Sequence, residues 1–293
     1  MKYFLQYVVA GLATGSIYAL VALGLALIYR STRILNFAHG DIATVGAFVA
    51  FTLLGMNLAP LISLPLAILS GCVLAMLFYF IILVPAQRRN ATSLGQIILT
   101  LGLGLILQGL ISYIWGTDTK TLAFPLSDTK VWEFGGVVIS ELSMGTFVIG
   151  LLGCGLLNLL VQKTRLGIAM RATSENLAAA QTLGIPTRGI LGLSWGLAAS
   201  LGVLAGLFLT PALLLDPFFM MEPFIKGFAA AILGGLQSLP GAILGGLILG
   251  VAESLTGGYI SVALKNTLAF LIIIVVLLVR PEGLLGKEFK ERV

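Results

Sequence analysis

The chain has 293 residues, 58% of them hydrophobic and 10% charged, with 17 basic and 12 acidic side chains and a formal net charge of +5. Ordinary soluble domains carry about 25% charged residues, so this composition excludes a soluble enzyme and places the chain in a bilayer, where an excess of basic residues bears on topology rather than on nucleic acid. Continuous apolar runs such as Leu268 to Val279 also exclude a membrane β-barrel, whose strands alternate faces over about ten residues; the expected class is an all-α polytopic membrane helix bundle.

A helix needs roughly 20 apolar residues to cross about 30 Å of hydrocarbon. Charge-free runs bounded by Gly, Pro or charged residues predict helices near 4–29, 40–55, 61–84, 93–114, 143–162 and 189–210. Three shorter ones follow near 224–236, 240–256 and 264–280, for about eight to nine transmembrane helices in all, some short or broken. The first run exceeds the roughly 7 to 15 apolar residues at the centre of a cleaved signal peptide and is expected to be retained. The segments 224–236 and 240–256 fall below spanning length and carry Gly234-Gly235 and Pro240. They are expected either to cross or to meet as half-helices inside the membrane, where covered backbone is allowed.

Arg30, Arg33, Arg88, Arg89, Lys163, Arg165, Arg171, Arg188, Arg280, Lys287, Lys290 and Arg292 fall on one side of these helices. Lys2, Lys120, Lys130, Lys226 and Lys265 fall on or near the other. The richer side is expected to be cytoplasmic, which puts the segment 115–142, with Asp118, Asp128, Glu133 and Glu141, outside. The N-terminus is expected outside as well, and the C-terminus inside.

Several segments carry polar chemistry. Asn36-Phe37-Ala38-His39-Gly40-Asp41 opens the second helix beside Arg30 and Arg33. Asn36, His39 and Asp41 there are candidates for a gate or substrate-path contact; the other reading is a helix start in which Asn36 or Asp41 caps amides and His39 bonds its neighbours. Glu253 is the clear charge within an apolar run, which is kept in a membrane only for use or pairing, with Lys265 as a partner or with its carboxylate reaching the interface. Cys72 and Cys154 sit singly in apolar runs, without metal-ligand spacing, and are taken as small core residues.

Among 36 glycines, the pairs Gly11/Gly15, Gly192/Gly196, Gly202/Gly206, Gly241/Gly245 and Gly246/Gly250 are four apart. Each pair predicts a small helix face that another helix can approach closely. The run Ala231-Ile232-Leu233-Gly234-Gly235-Leu236 recurs as Ala242 to Leu247 around Ser238-Leu239-Pro240. Interrupted segments of this kind often line a transport path, so Gly234, Gly235, Ser238 and Pro240 join Glu253 as candidate path residues.

Between Gln162 and Gly189 the chain turns polar around a short helix-like stretch, Ser174 to Leu183, with Leu177, Ala180 and Leu183 at helical spacing and Gly184-Ile185-Pro186 as a stop. This is either a docking element or a connecting helix on the membrane surface. No GxxxxGK[ST] phosphate loop occurs, and the lone Gly286-Lys287 lacks its companions. Catalysis would need a nucleophile near a histidine or a metal site, and His39 is the one histidine. An enzyme is therefore the weaker class, with no catalytic or metal residue to name, and an ion-coupled carrier or channel is the alternative to a driven permease.

Five stretches together resemble one family. They are Asn36 to Asp41, Ile98 to Gly102, Arg171-Ala172 through Ala179-Ala180 to Leu183-Gly184-Ile185, Ala229 to Gly241, and Val279 to Gly286. Essentially over its whole length the chain resembles the H-type permease subunits of bacterial branched-chain amino acid ABC importers, a family that also includes urea and amide permeases. The resemblance implies a single transmembrane domain over 1–293, with a periplasmic loop at 115–142 and a cytoplasmic loop at 163–188. In that loop Arg171, Ala172, Glu175, Leu177, Ala180, Leu183, Gly184 and Ile185 would form the coupling helix that rests on an ATPase. It further implies an inner-membrane location, no cofactor of its own because ATP is bound by partner subunits, and four partners: a homologous M-type permease, two cytoplasmic ATPases and a periplasmic binding protein. Bulky Asp216 to Glu222 departs from the pattern, which leaves a branched-chain amino acid, another amino acid, and urea or an amide open as cargo.

Overall fold

The computed structural model describes residues 2–122, 124–126, 128–134 and 137–286; Lys287, Lys290 and Arg292, counted above among the basic residues, lie outside them. In chain order the elements are α1 (Lys2–Thr32), α2 (His39–Gly55), α3 (Pro60–Phe78), a π turn (Tyr79–Leu83), α4 (Val84–Arg88), α5 (Ser93–Trp115), β1 (Val131–Phe134) and β2 (Val137–Ser140). There follow α6 (Glu141–Lys163), α7 (Arg165–Glu175), α8 (Leu177–Thr182), α9 (Thr187–Leu209), α10 (Met221–Gly234), α11 (Leu239–Tyr259) and α12 (Val262–Val279). Six described stretches are helical, long and apolar enough to cross a membrane: Lys2–Thr32, Pro60–Arg88, Ser93–Trp115, Glu141–Lys163, Thr187–Leu209 and Leu239–Tyr259. The chain is a polytopic helical membrane protein, as its composition requires.

One expectation is corrected, and one loop gains regular structure. The segment near 240–256 is not a short broken helix, because α11 runs 21 residues and reaches spanning length. Gly257 and Gly258 do not end it: Gly258 lets the Tyr7 ring lie against its backbone, and packing outweighs the poor helix propensity of glycine, about 1 kcal/mol. Gly235 lies in the turn between α10 and α11, with Gly234 closing one helix and Pro240 opening the other, and α10 alone is short, at 14 residues. The segment 115–142 is not wholly irregular either. β1 and β2 form an antiparallel hairpin with Val131 opposite Ser140 and Phe134 opposite Val137.

Contacts divide the chain into two compact units. The first takes its described residues from Met1–Ala26, Ser127–Cys154 and Ile225–Val293. Here the glycine pairs do what their spacing predicts. A Cβ on Gly246 would collide with the Ala19 backbone, one on Gly250 with Gly15, and one on Gly11 would come within 2.7 Å of the Val251 Cα, so α1 and α11 touch backbone to backbone. The two AILGGL repeats meet in the same way, since Cβ atoms on Gly241 and Gly245 would strike Gly234 and Ala230. The repeat is thus a packing device that closes the α10–α11 hairpin. At one end of this unit Gln6 bonds both backbone groups of Val138, Nε2 to its carbonyl at 2.6 Å and Oε1 from its N–H at 2.8 Å, and Tyr7 stacks edge-on against Tyr259 at 5.5 Å. At the other end Leu284 and Leu285 donate to the carbonyls of Leu233 and Gly234, and Gly235 takes φ +100° directly under Glu282 and Gly286.

The second unit, Leu27–Leu126 with Gly155–Phe224, is centred on α2, α3 and α9. Val203 of α9 is a knob: Cβ atoms at Gly46 and Gly71 would overlap its methyl groups, so both positions are hollow to receive it. Trp195, fully buried, packs on Phe78 and Tyr79 at ring distances of 5.8 and 6.2 Å. Gly192 and Gly196 leave room for Phe80 and for Cys72 and Met76. The π turn ends at Leu83, two residues before Pro85, whose missing N–H interrupts the helical ladder.

Overpacking a close contact costs about 1 to 3 kcal/mol, whereas glycine to alanine at an open helical site gains about 0.5 to 1 kcal/mol. Gly246→Leu is expected to lower the thermal unfolding midpoint in detergent, and Gly102→Ala, where an added Cβ meets nothing within 4 Å, to hold or raise it.

Candidate functional site

Of the eight residues of the polar segment, Arg171, Ala172 and Glu175 fall on α7, Leu177 and Ala180 on α8, and Leu183, Gly184 and Ile185 in the turn that follows, rather than on one helix from Ser174 to Leu183. Thr164 caps α7 by accepting from Gly167 N–H at 3.1 Å. The helix then stops at Asn176, whose backbone is extended (φ −151°, ψ 101°) and whose Oδ1 accepts from Ala179 N–H at 2.9 Å to start α8. Arg171, Ala172, Ser174 and Glu175 therefore belong to α7. Asparagine is a strong N-cap, and Asn176-Leu-Ala-Ala was the signal of a second helix start that hydrophobic spacing alone passes over. The far end of α8 stops as predicted: Gly184 adopts φ +78°, Ile185 N–H reaches Ala180 O and Gly184 N–H reaches Gln181 O, both at 3.0 Å.

This capped elbow has an inner and an outer side. Ala180 is 2% exposed, while Leu177 is 47% and Leu183 78% exposed, so the three do not form one face. Gln181 ties α8 to the start of α9 through Thr187 at 3.2 Å, and Arg30 feels the charges of Arg171 and Glu175, which joins the elbow to the basic end of α1.

A second group surrounds the start of α2. Asn36 Oδ1 accepts from Ala38 N–H at 3.1 Å, so Asn36 does hold the turn, although Ala38 and not Asp41 occupies the cap position. Asp41 accepts from Gln108 Nε2 at 2.9 Å, and Phe37 N–H donates to Thr100 Oγ1 at 3.2 Å. Gln108 of α5 was not singled out from the sequence, and Thr100 only within the motif Ile98 to Gly102; the signal of both was polarity inside an apolar run. The expectation that His39 bonds its neighbours is overturned. His39 is fully buried with its ring against Gly202, and neither ring nitrogen has a hydrogen-bond partner, nor does Asn36 Nδ2.

The remaining candidates separate. Ser238 accepts from Gly241 N–H at 3.1 Å as the N-cap of α11 and Pro240 sits in its first turn, both beside Gly234 and Gly235. Glu253 lies 15 residues further along α11, about 22 Å at 1.5 Å per residue. It is not alone, and Lys226 is not at a solvated end: Lys226 Nζ meets Glu253 Oε1 at 2.6 Å, with side chains 8% and 3% exposed. Lys265 Nζ stands 3.8 Å from the same oxygen, its side chain 42% exposed, and Lys226 lies 5.8 Å above the Tyr18 ring. Lys226 went unpaired in the sequence reading because it is 27 positions from Glu253; an acid inside a span was the signal to look for a buried base. Among the described residues no cluster of His, Cys, Asp or Glu could hold a metal ion.

Comparisons with known proteins fit this architecture. The family described as "Branched-chain amino acid transport system / permease component" matches residues 7–277. The high-affinity branched-chain amino acid transport system permease protein BraD of Pseudomonas aeruginosa is 34% identical over 99% of this chain and 98% of its own length. The probable branched-chain amino acid transport permease protein LivH of Methanocaldococcus jannaschii is 36% identical over 93% of this chain and 89% of its own, and the high-affinity LivH of Escherichia coli K12 is 32% identical over 99% and 98%. Among solved structures, PsaBC from Streptococcus pneumoniae in complex with Fab has a TM-score of 0.51 at 16% identity, over 95% of this chain and 92% of that one, a likeness of fold.

Removing one partner of a buried ion pair costs about 3 to 5 kcal/mol, whereas replacing both by apolar residues is often neutral. Glu253→Ala is expected to lower the yield and melting temperature of the purified protein sharply, and the double variant Lys226→Met/Glu253→Leu to recover most of that loss.

Proposed function

From a chain that belongs to the family of branched-chain amino acid transport system permease components, we propose a permease subunit that forms part of the translocation path of an ATP-driven importer of branched-chain amino acids. The observation that carries this reading is the likeness to BraD over nearly the full length of both proteins. In this reading ATP is bound and hydrolysed by two cytoplasmic ATPase subunits, from which energy reaches the chain. A homologous M-type permease completes the path and a periplasmic binding protein delivers the cargo.

The elbow of α7 and α8 is the point of energy transfer. Its caps, its polar surroundings and the outward Leu177 and Leu183 suit a short rigid element seated in an ATPase groove, and the absence of a phosphate loop in the chain leaves it something to receive. Arg30, Arg33, Arg171 and Arg188 lie with it on the cytoplasmic side, as do Gly235 and the tail through Gly286. The N-terminus and the β-hairpin then face the periplasm, and the membrane is the inner, plasma membrane. Asn36, His39 and Asp41 form a gate at the cytoplasmic mouth. An imidazole without partners costs free energy where it stands and gains it in a state that hydrates the ring, which supplies the differential interaction that a two-state gate requires.

A substitution at a site as exposed as Leu183 shifts stability by no more than about 0.5 kcal/mol. Leu183→Asp is therefore expected to give a normally inserted permease whose complex loses ATP-driven leucine uptake and cargo-stimulated ATP hydrolysis in proteoliposomes. Normal coupling in that variant would remove the elbow from the energy path, and uptake by the purified chain alone, driven by an ion gradient, would remove the importer reading.

A further inference from the structure

An amino acid crossing a membrane protein carries two opposite charges that lose their water, at several kcal/mol each unless replaced by counter-charges. Among the described residues, Lys226 and Glu253 are the only buried Lys, Arg, Asp or Glu, and both stand in one unit with Lys265 beside them. Their arrangement is unequal. Glu253 Oε1 takes both lysines, Lys226 at hydrogen-bond distance and Lys265 at 3.8 Å, beyond it. Glu253 Oε2 is buried with no hydrogen-bond partner. Exposure rises outward, from Lys226 and Glu253 to the half-exposed side chain of Lys265. The cluster lies six residues before the end of α11 at Tyr259, about 9 Å along the axis, toward the end where Tyr7 and Gln6 hold Tyr259 and the hairpin.

We propose that Glu253 and Lys265 form a head-group station for a zwitterionic α-amino acid on the outer side of the path: Glu253 Oε2 accepts from the ammonium, and Lys265 Nζ donates to the carboxylate. This rests on the amino-acid cargo proposed above. Lys226 is a positioning residue that holds the Glu253 carboxylate through Oε1 and leaves its second oxygen to the cargo. The Lys265 chain lies along Gly257, where a Cβ would come within 3.4 Å of its Cδ, so this flexible stem is the cover that swings aside. The cluster carries one acid and two bases, which suits a ligand bearing both charges and gives a neutral urea or amide no counter-charge to meet.

The test uses the complete importer, reconstituted with its partner permease, ATPases and binding protein, with radiolabelled leucine as the probe. Lys265→Met is expected to lower initial uptake at least tenfold and Lys265→Arg, which keeps the donor, to restore it. Lys226→Met/Glu253→Leu, which removes the charges without stranding one, is expected to assemble and to show the same loss. Wild-type uptake in the Lys265→Met complex, or in the assembled double variant, overturns the station. If the double variant does not assemble, the half-exposed Lys265 position decides the matter alone. A wild-type complex that binds and imports no leucine fails at the cargo reading instead, and the station falls with it.

Discussion

Backbone-to-backbone contact between helices is the constraint on which the rest of the first unit depends. Lipid offers no hydrophobic force to drive helix against helix, so association rests on close van der Waals contact at small residues. Gly11 and Gly15 against Gly246 and Gly250, and Gly234 against Gly241, provide it. Helices this close exclude water from between them. A lysine and a glutamate caught there have no solvent to turn to and must find each other, as Lys226 and Glu253 do at 2.6 Å. The glycine faces and the ion pair are thus one design: the first creates the dry interior, and the second is the polar chemistry it tolerates.

The second unit meets the same pressure with hydrogen bonds rather than with a buried ion pair. Its centre is sealed by Val203 in the hollow of Gly46 and Gly71, and the polar start of α2 is woven into α5 by Asp41 with Gln108 and by Phe37 with Thr100. His39 is left out of this weave, pressed on Gly202 with neither ring nitrogen partnered, and Asn36 Nδ2 is unpartnered beside it. A buried donor or acceptor without a partner costs about 1 to 3 kcal/mol. Such a cost at the contact of α2 with α9 is a store that another arrangement of these two helices can release.

The spanning helices and the glycine faces were legible because lipid imposes them: length follows from hydrocarbon thickness, and close approach follows from spacing by four. The family, too, was legible from five motifs in order. What the sequence hid were outcomes decided by packing. Helix α11 continues through Gly257-Gly258 because Tyr7 lies there, a residue some 250 positions away. The hairpin β1–β2 draws on Gln6, 132 positions from Val138. Lys226 looked like an end residue until α10 and α11 folded face to face. The polar segment failed for the opposite reason, since its evidence was local: Asn176 announces a new helix, but the spacing of Leu177, Ala180 and Leu183 masks the break.

That break gives the elbow its mechanical character. A helix of six residues is far below the roughly 12 to 15 needed for stability in isolation, so α8 persists only because Asn176 caps one end, Gly184 closes the other and Ala180 is buried. The fixtures are the Asn176 side chain, the Gly184 backbone and the buried Ala180, leaving Leu177 and Leu183 exposed in front. An element whose shape is set from behind keeps its apolar front, Leu177 and Leu183, free of any part in its own fold. Gln181, bonded to Thr187, ties this element to the first turn of α9, the helix that carries Gly202 against His39.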